Sequence, residues 1–320
     1  NLHSDKSITV QDTSEGASCT VNITYGTVSQ PSENNTVNLN PNTGEAYADE
    51  SSTYEVTYEY GDYTQAIGDV VAEVPRSIGV CTENTSIANT IISEAEQAGV
   101  NFNFTRGIVG AEPEVDAGSY TDSLDSRRLT VVSTSRGYLD QAETDEARTV
   151  GAIAGKQAGK PLGDSTTYES VGGFASLRTP SSGYTGSDIK AFIDAQVMPL
   201  VDDGGIQIIK DMTTSTEQRF ERIYASEIVD EATELTHTVA KSFVGERSGE
   251  DGLIPLNDSL DATYGELVED NLITAYSLNV TEGANRFIAD VDVGIQVVGI
   301  FDTIDVSITV GEVVQNNAEA

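Results

Sequence analysis

The run Thr303-Ile304-Asp305-Val306-Ser307-Ile308-Thr309-Val310 alternates apolar and polar residues without interruption. A period of two is typical of a β-strand with one buried and one solvated face, so Ile304, Val306, Ile308 and Val310 are predicted to share one face. The strand lies close to the end of the chain, where it is free to leave its own subunit and pair with the sheet of a neighbour. These four residues are therefore candidate subunit-interface residues.

The segment that contains this strand, residues 186–320, is predicted to form an α+β domain that ends in antiparallel strands. Its best-patterned element is a long helix capped by Ser226 and ended by Gly245, with apolar residues at helical spacing. The other predicted elements are helices at Ser187–Val197 and Ser259–Leu272 and strands at Ile206–Ile209, Phe220–Tyr224, Thr274–Val280, Arg286–Val298 and Thr303–Val313.

Two acidic residues, Asp290 and Asp292, share the outward face of the strand before the closing one. They could hold a cation or meet an arginine of a partner, although a solvated acidic face is the more frequent role of such a pair. Ile8 and Val10 alternate in the same manner near the start of the chain. All four are added to the candidate subunit-interface residues.

Residues 67–185 are predicted to form an α/β domain. Strand–helix–strand order favours crossover connections and therefore a mostly parallel sheet. The predicted strands are Ser77–Cys81, Val100–Thr105 and Arg128–Ser133, and the predicted helices run from the N-cap Ser86 to Gly99 and from Thr144 to Gly159.

Residues 1–66 are predicted to form a small β domain, closed as a sandwich or barrel. Alternation is strongest at Tyr54, Val56, Tyr58 and Tyr60, and turn formers such as Asn40–Gly44 separate the strands. The chain as a whole is thus predicted to have a mixed α+β and α/β fold with three domains, 1–66, 67–185 and 186–320.

The chain carries 52 acidic and 17 basic residues, a net charge of −35. Acidic residues occur throughout the chain, between apolar residues that recur at regular spacing. This distribution indicates a folded protein with an acidic surface. Such a surface is typical of a halophilic protein, because charge repulsion is screened over about 3 Å at 1 M salt. The alternative is a specific role such as binding calcium or a basic partner. Direct nucleic-acid binding is disfavoured, since stripes of Lys and Arg are missing.

Motifs for catalysis, cofactors or metals are missing from the sequence. The run Gly151–Pro161 superficially resembles a phosphate-binding loop, but its glycine spacing is wrong, so a helix with small residues for close packing is the better interpretation. His3 and His237 accompany no nucleophile elbow or metal cluster. Cys19 and Cys81 are interpreted as small buried hydrophobes. The sequence therefore predicts no catalytic, cofactor or metal site and no enzyme.

No apolar run approaches the roughly 20 residues needed to cross a membrane, so direct membrane insertion is not expected. Sequons such as Asn22-Ile23-Thr24 are expected by chance in a chain rich in Asn and Thr.

The order of elements carries a resemblance to a known family. The small-residue helix Val150–Gly155 is followed by Thr185–Leu200, by Gly204–Ile209 with Met212-Thr213-Thr214, by Arg222-Ile223 before the long helix with Asp230, and finally by Asp305–Val310. This succession resembles the tail sheath proteins of contractile phage and archaeal-virus tails and of contractile injection systems. Leu39–Gly44 before Tyr54–Tyr60 is similar to the β domain that some sheaths carry, whereas the family's Pro- and Gly-rich N-terminal start is absent.

The resemblance implies a non-enzymatic structural subunit that polymerises as stacked hexameric rings around a tail tube. Contraction would drive the tube through the host envelope, and terminal strands would join a neighbour's sheet. The implied partners are other copies of the chain, the tail tube protein, and the baseplate and tail terminator proteins. The implied location is the virion tail, assembled in the host cytoplasm.

Two other classes stay open beside the sheath hypothesis. One is a halophilic α/β enzyme of unknown reaction, which a convergent polar site would favour. The other is a calcium-binding β-rich surface module, which calcium-dependent melting of the monomer would favour.

Overall fold

The computed structural model describes residues 9–12, 20–23, 29–31, 36–39, 46–48, 54–57, 63–112, 120–180, 183–246, 250–285 and 288–299. The chain divides into two compact units, Asn1–Ala66 and Ile67–Ala320. The closing run Thr303–Val310 and residue Ile8 lie outside the described residues.

The first unit consists of short strands, as its Val, Thr and Tyr content favours. β1 pairs antiparallel with β5, with Val10 opposite Val56. β3 pairs parallel with β2 and antiparallel with β4. The β character predicted for this part of the chain is confirmed. The strands are β1 (Thr9–Asp12), β2 (Thr20–Ile23), β3 (Thr36–Leu39), β4 (Ala46–Ala48) and β5 (Tyr54–Thr57).

A parallel three-stranded sheet opens the second unit, as the sequence predicts. Its order is β6–β7–β8, and every residue of β7 and β8 is buried. Buried parallel strands read as continuous runs rather than alternating ones, because both of their faces are covered. Helix α1 (Tyr63–Ala72) begins in the last residues of the first unit and continues into the second. The further elements are β6 (Ser77–Gly79), α2 (Thr85–Val100), β7 (Arg106–Gly110) and β8 (Leu129–Val132).

Two local predictions in this region are wrong, and the sequence analysis contains no helix at the position of α1. Asn84, not Ser86, caps α2, and its side chain accepts a hydrogen bond from the Ser86 N–H at 2.8 Å. The strand expected at Val100–Thr105 begins only at Arg106, because the helix runs through Val100 and Phe102 then turns the chain with a φ of 61°.

A small antiparallel sheet with β9 at its centre follows, together with helix α3. The helix expected from Thr144 begins at Thr149, because residues 146–148 pair as strand β10 with β9, placing Arg148 opposite Arg136. The elements are β9 (Arg136–Tyr138), β10 (Glu146–Arg148), α3 (Thr149–Ala158) and β11 (Ser176–Leu177).

The last third contains two long helices and a long β-hairpin. The strand expected at Phe220–Tyr224 is wrong: a 3₁₀ turn at Gln218–Phe220 leads directly into α5, and the expected cap Ser226 is buried inside that helix. The elements are α4 (Gly186–Asp194), β12 (Leu200–Asp202), β13 (Ile206–Ile208), α5 (Ile223–Ser242), α6 (Glu250–Glu269), β14 (Ile273–Glu282) and β15 (Ala289–Val297).

The described residues of the second unit form two apolar cores. One joins the parallel sheet and α3 to the β12–β13 hairpin, through residues that include Ile108, Val150, Ile153 and Leu200. This core draws on residues from both sides of position 185, the predicted boundary between the second and third domains. The other core joins α5 and α6 to β14 and β15 through residues such as Ile228, Tyr264 and Ile273.

Candidate subunit interface

The β14–β15 hairpin is the candidate platform for contacts with another subunit. Its antiparallel register runs from Ile273 opposite Val297 to Glu282 opposite Ala289, with an irregularity near Ile273. No other strand pairs with either edge of the hairpin in the described part of the chain. An unpaired strand edge presents a row of backbone N–H and C=O groups that another strand can use.

The inward face of the hairpin is apolar and covers the two long helices. Tyr276, Val293, Ile295 and Val297 pack against the core that α5 and α6 contribute. The Tyr276 hydroxyl donates a hydrogen bond to the Asp261 carboxylate at 2.7 Å, and this bond raises the pKa of Tyr276. The inward side chains therefore fix the hairpin on the helices, as period-two alternation predicts.

The outward face of the hairpin is polar. Asp290 stands opposite Thr281 and Asp292 opposite Asn279, and both aspartates are exposed. No lysine or arginine among the described residues forms an ion pair with either aspartate. The structure thus places the two predicted residues together on one solvent-facing surface.

An apolar groove of about 420 Å³ lies beside β15, between that strand and α5. Val291, Val293 and Ile295 line it on the strand side, and Val229 and Thr233 line it on the helix side. None of its lining residues carries a carboxylate, although the chain has 52 acidic residues. This apolar groove is therefore a gap in the acidic surface.

A stacked pair of rings also lines the apolar groove. Phe102 and His237 lie with ring centroids 3.7 Å apart and an angle of 16° between their planes. The pair brings the loop after α2 onto α5, so the His237 ring packs against an aromatic ring in the structure. Tyr264 lies deeper in the groove, where burial raises its pKa and its hydroxyl hydrogen-bonds to that of Thr236.

Ion pairs hold α5 against the parallel sheet. The Asp230 carboxylate accepts a hydrogen bond from Arg128 and lies 3.4 Å from an Arg127 nitrogen. The Arg128 guanidinium also lies over the Phe104 ring. Nearer the start of the helix, Glu227 pairs with Arg76 at 2.7 Å. Because the helix side of the apolar groove is carried on α5, these ion pairs also position the groove.

A second ionic cluster lies at the carboxyl end of the parallel sheet. Glu83 accepts hydrogen bonds from Arg136, Arg148 and Ser135. Burial alone would raise the pKa of Glu83, but the hydrogen bonds from Arg136 and Ser135 and the charge of Arg148 lower it to about 2. Through these hydrogen bonds the Glu83 carboxylate joins the loop after β6 to β9 and β10. Its low pKa makes it poorly suited to proton transfer.

The structure places only some of the predicted interface residues. Asp290 and Asp292 share the hairpin's outward face. The backbone of Val10 lies in β1 of the first unit, paired with Val56. Ile304, Val306, Ile308, Val310 and Ile8 lie outside the described residues, so their role stays a prediction.

Sequence reasoning missed the apolar groove, and it misjudged one cysteine. Phe102, His237 and Val293 are far apart in sequence, and no local sequence pattern distinguishes them. The one available signal was that the residues on one face of α5 include no Asp or Glu. Cys81 is exposed, which corrects the expectation of a buried residue, and Cys19 lies outside the described residues.

Neither a metal site nor a membrane span is found in the part of the chain that the structure describes. No three of its His, Cys, Asp and Glu residues are grouped so that they could hold a metal ion. None of its helices combines the length and apolarity that crossing a membrane requires.

Comparison with known proteins shows which solved structures the fold is similar to. No protein-family model matches the chain, and no curated protein sequence matches it significantly. Among solved structures, it is similar to a chain of the anti-feeding prophage baseplate, with a TM-score of 0.63, 11% identity, and coverage of 81% of this chain and 76% of that one.

Two sheath structures give the same result. A sheath chain of an extracellular contractile injection system, PVC, in the contracted state has a TM-score of 0.62 at 10% identity, over 81% of this chain and 76% of that one. The sheath tail protein of Desulfitobacterium hafniense has a TM-score of 0.55 at 15% identity; 79% of this chain matches 62% of that one. At such identities similarity shows the fold alone, and the fold of this chain is that of the contractile tail sheath proteins.

Proposed function

We propose that this protein is the subunit of a contractile tail sheath. The observation that carries the proposal is the sheath fold, matched over about four-fifths of the chain. The subunits polymerise as stacked hexameric rings around a tail tube, and contraction drives the tube through the envelope of a host. The protein performs no catalysis in this role.

Neighbouring subunits are joined by strand addition at the hairpin. The closing strand of one subunit pairs with the open edge of β15 on the next, and main-chain hydrogen bonds give the contact its strength. Ile304, Val306, Ile308 and Val310 then enter the apolar groove, where no carboxylate opposes them. Support for this pairing comes from the groove's position beside β15 and from the matching alternation of the closing strand.

The assembled sheath has partners beyond its own subunits. The tail tube lies inside it, the baseplate at one end and the terminator protein at the other. The particle is a virion tail, or the corresponding part of an injection system, assembled in the cytoplasm of the host cell. The acidic surface adapts the subunit to concentrated salt, where its charge repulsion is screened.

Negative-stain electron microscopy of the purified full chain in molar salt tests the proposal. Striped or ringed tubules are the expected result. Monodisperse particles at every salt and protein concentration would contradict the sheath role.

A deletion of Thr303–Ala320 tests the strand addition separately. The truncated chain should stay soluble and keep the circular dichroism of the full chain, but form no tubules. Tubules from the truncated chain would show that the closing strand does not join subunits.

A further inference from the structure

The apolar groove is uncovered along β15 in the described part of the chain. Val291, Val293 and Ile295 line it from that strand, which pairs with β14 alone among the described strands. Apolar side chains beside unpaired backbone groups form a surface that promotes aggregation unless something covers it. A free subunit is therefore better protected if the apolar groove is covered before assembly.

The closing strand, Thr303–Val310, follows β15 directly in the sequence. β15 ends at Val297, the structure describes the chain as far as Gly299, and five residues separate Val297 from Thr303. Five residues span at most about 17 Å, so the closing strand begins near the end of β15. Two strands joined by so short a connection form an antiparallel hairpin.

The register of this hairpin follows from the alternation of both strands. A four-residue loop, 298–301, would bring three apolar residues of the closing strand opposite the three residues with which β15 lines the apolar groove. The pairs are Ile304 with Ile295, Val306 with Val293, and Ile308 with Val291. A loop one residue longer would turn the polar face of the closing strand toward the groove instead, because successive side chains point to opposite faces.

The same register suits the charges on the outward face. It would place Asp290 opposite Thr309, Asp292 opposite Ser307, and Asp305 opposite Gly294. Like charges directly opposite each other destabilise a sheet, and none of these three aspartates would face another acid. Both faces of the closing strand therefore match β15 in one alignment.

Concentration decides which copy of the closing strand fills the apolar groove. A short flexible linker holds a segment near its own site at an effective concentration of about 1 mM. When free subunits are at about 1 µM, the strand of the same chain is favoured over that of another by about a thousandfold. We propose that the apolar groove of the free subunit is closed by the subunit's own Thr303–Val310, paired antiparallel with β15.

Assembly then requires an exchange of strands. The closing strand leaves its own groove and enters that of a neighbour, which is the swapping of an identical element between subunits. The strand must be released before it is exchanged, and this release is a barrier that keeps free subunits from polymerising at once. The exchange rests on the proposed sheath function, whereas the closed groove of the free subunit does not.

A disulfide across the aligned strands tests the closed groove. Asp292→Cys with Ser307→Cys joins two directly opposite positions, whose Cβ atoms lie about 5 Å apart in a sheet. The matched control is Asp292→Cys with Thr303→Cys, which moves one cysteine by four residues, about 13 Å, along the strand. Both pairs are made in the full chain with Cys19→Ala and Cys81→Ser, and they are oxidised at about 1 µM protein in about 0.1 M NaCl.

We expect the tested pair to form a disulfide within one subunit at least about tenfold more often than the control pair, because disulfides tolerate only a narrow range of Cβ separations. Non-reducing electrophoresis and intact-mass spectrometry measure the yields, and circular dichroism establishes that both variants are folded. Equal yields from the two pairs would overturn the closed groove. Disulfides found only between subunits would overturn it as well, since the occupant would then be a second copy.

The subunit locked by the disulfide tests the exchange. It should form no tubules in molar salt and regain them when dithiothreitol reduces the disulfide, whereas the control variant should form tubules under both conditions. Tubules from the locked subunit before reduction would overturn the exchange.

The two proposals fail in different ways. If wild type forms no tubules under any condition while the disulfide still forms within one subunit, the sheath function fails and the closed groove stands. If tubules form but the disulfide within one subunit does not, the closed groove is refuted and the sheath function stands.

Discussion

Glu83 lies between two arginines and a serine at the carboxyl end of the parallel sheet. Its folded-state pKa of about 2 lies below the ordinary value of 4.5. A depressed carboxyl pKa contributes stability above the unfolded-state pKa, and that contribution is lost as the pH falls toward the folded-state pKa.

Replacing Glu83 by glutamine should therefore lower the free energy of unfolding by about 2 kcal/mol at pH 7. The difference from wild type should shrink between about pH 4.5 and pH 2, where the wild-type carboxylate becomes protonated. Urea denaturation across this pH range measures it, with the exposed-residue variant D122N as a control. A difference independent of pH would mean that the ion pairs do not set the pKa of Glu83.

Two glycines make a matched pair for testing backbone packing. A Cβ added at Gly110 would lie 2.5 Å from the Cα of Ser135, where β7 passes close to another backbone segment. A Cβ added at Gly151 of α3 would have no described atom within 4 Å.

Gly110→Ala should lower the free energy of unfolding by about 2 kcal/mol, because the backbone must shift to admit the methyl group. Gly151→Ala should raise it by up to about 1 kcal/mol, since glycine is a poor residue for a helix interior. Thermal and urea denaturation of the soluble subunit measure both effects. Equal destabilisation by the two variants would contradict the difference in their surroundings.

At the scale of elements, the β14–β15 hairpin and α5 act together. The hairpin's inward face packs on the helix, and the space left beside β15 forms the apolar groove. A strand added at that edge would place alternate side chains over α5. A charge introduced into the apolar groove should therefore oppose strand addition while leaving the subunit folded.

Thr233→Glu and Thr238→Glu place the same change on the same helix. Thr233 lines the apolar groove, whereas Thr238 is exposed on another face of α5. We expect Thr233→Glu to reduce tubule formation at least about tenfold, because its carboxylate would lose water on strand addition. Thr238→Glu should form tubules as the wild type does. Pelleting assays in molar salt measure the fraction polymerised, and equal behaviour of the two variants would place the contact elsewhere.

At the scale of the whole molecule, charge governs association. Most described arginines and lysines form ion pairs within the chain, so the excess of carboxylates is left at the surface. Two such surfaces repel each other over about 10 Å at 0.1 M salt and over about 3 Å at 1 M.

Tubules should therefore form above about 1 M NaCl and dissociate near 0.1 M, where screening extends over a longer distance. Sedimentation velocity across a salt series measures this dependence, with subunit folding followed by circular dichroism in the same buffers. If screening is the cause, KCl and NaCl of equal ionic strength should act alike. Polymers that persist unchanged at 0.1 M salt would contradict the electrostatic argument.

Local sequence patterns predicted the elements in which apolar and polar residues alternate regularly. The two hairpin strands were predicted at Thr274–Val280 and Arg286–Val298 and are found at Ile273–Glu282 and Ala289–Val297. Their alternation reflects a sheet with one covered face, which is a local property of the chain. The mostly parallel sheet followed in the same way from the strand–helix–strand order of the second unit.

Element boundaries depended on tertiary contacts that no local pattern contains. Residues 146–148 carry helix-compatible residues, yet they pair with β9 as a strand. Ile223 and Tyr224 fit a strand equally well, yet they are buried in the first turn of α5. In both places packing against distant residues decided between conformations that the side chains themselves permit.

The sequence by itself determined the mixed fold, the alternating strands, the acidic composition and the lack of a catalytic motif, because each depends on residue type or on spacing along the chain. Only the tertiary structure decided that Cys81 is exposed. It alone also formed the apolar groove, which depends on side chains from segments far apart in sequence that meet only when α5 packs against its neighbours.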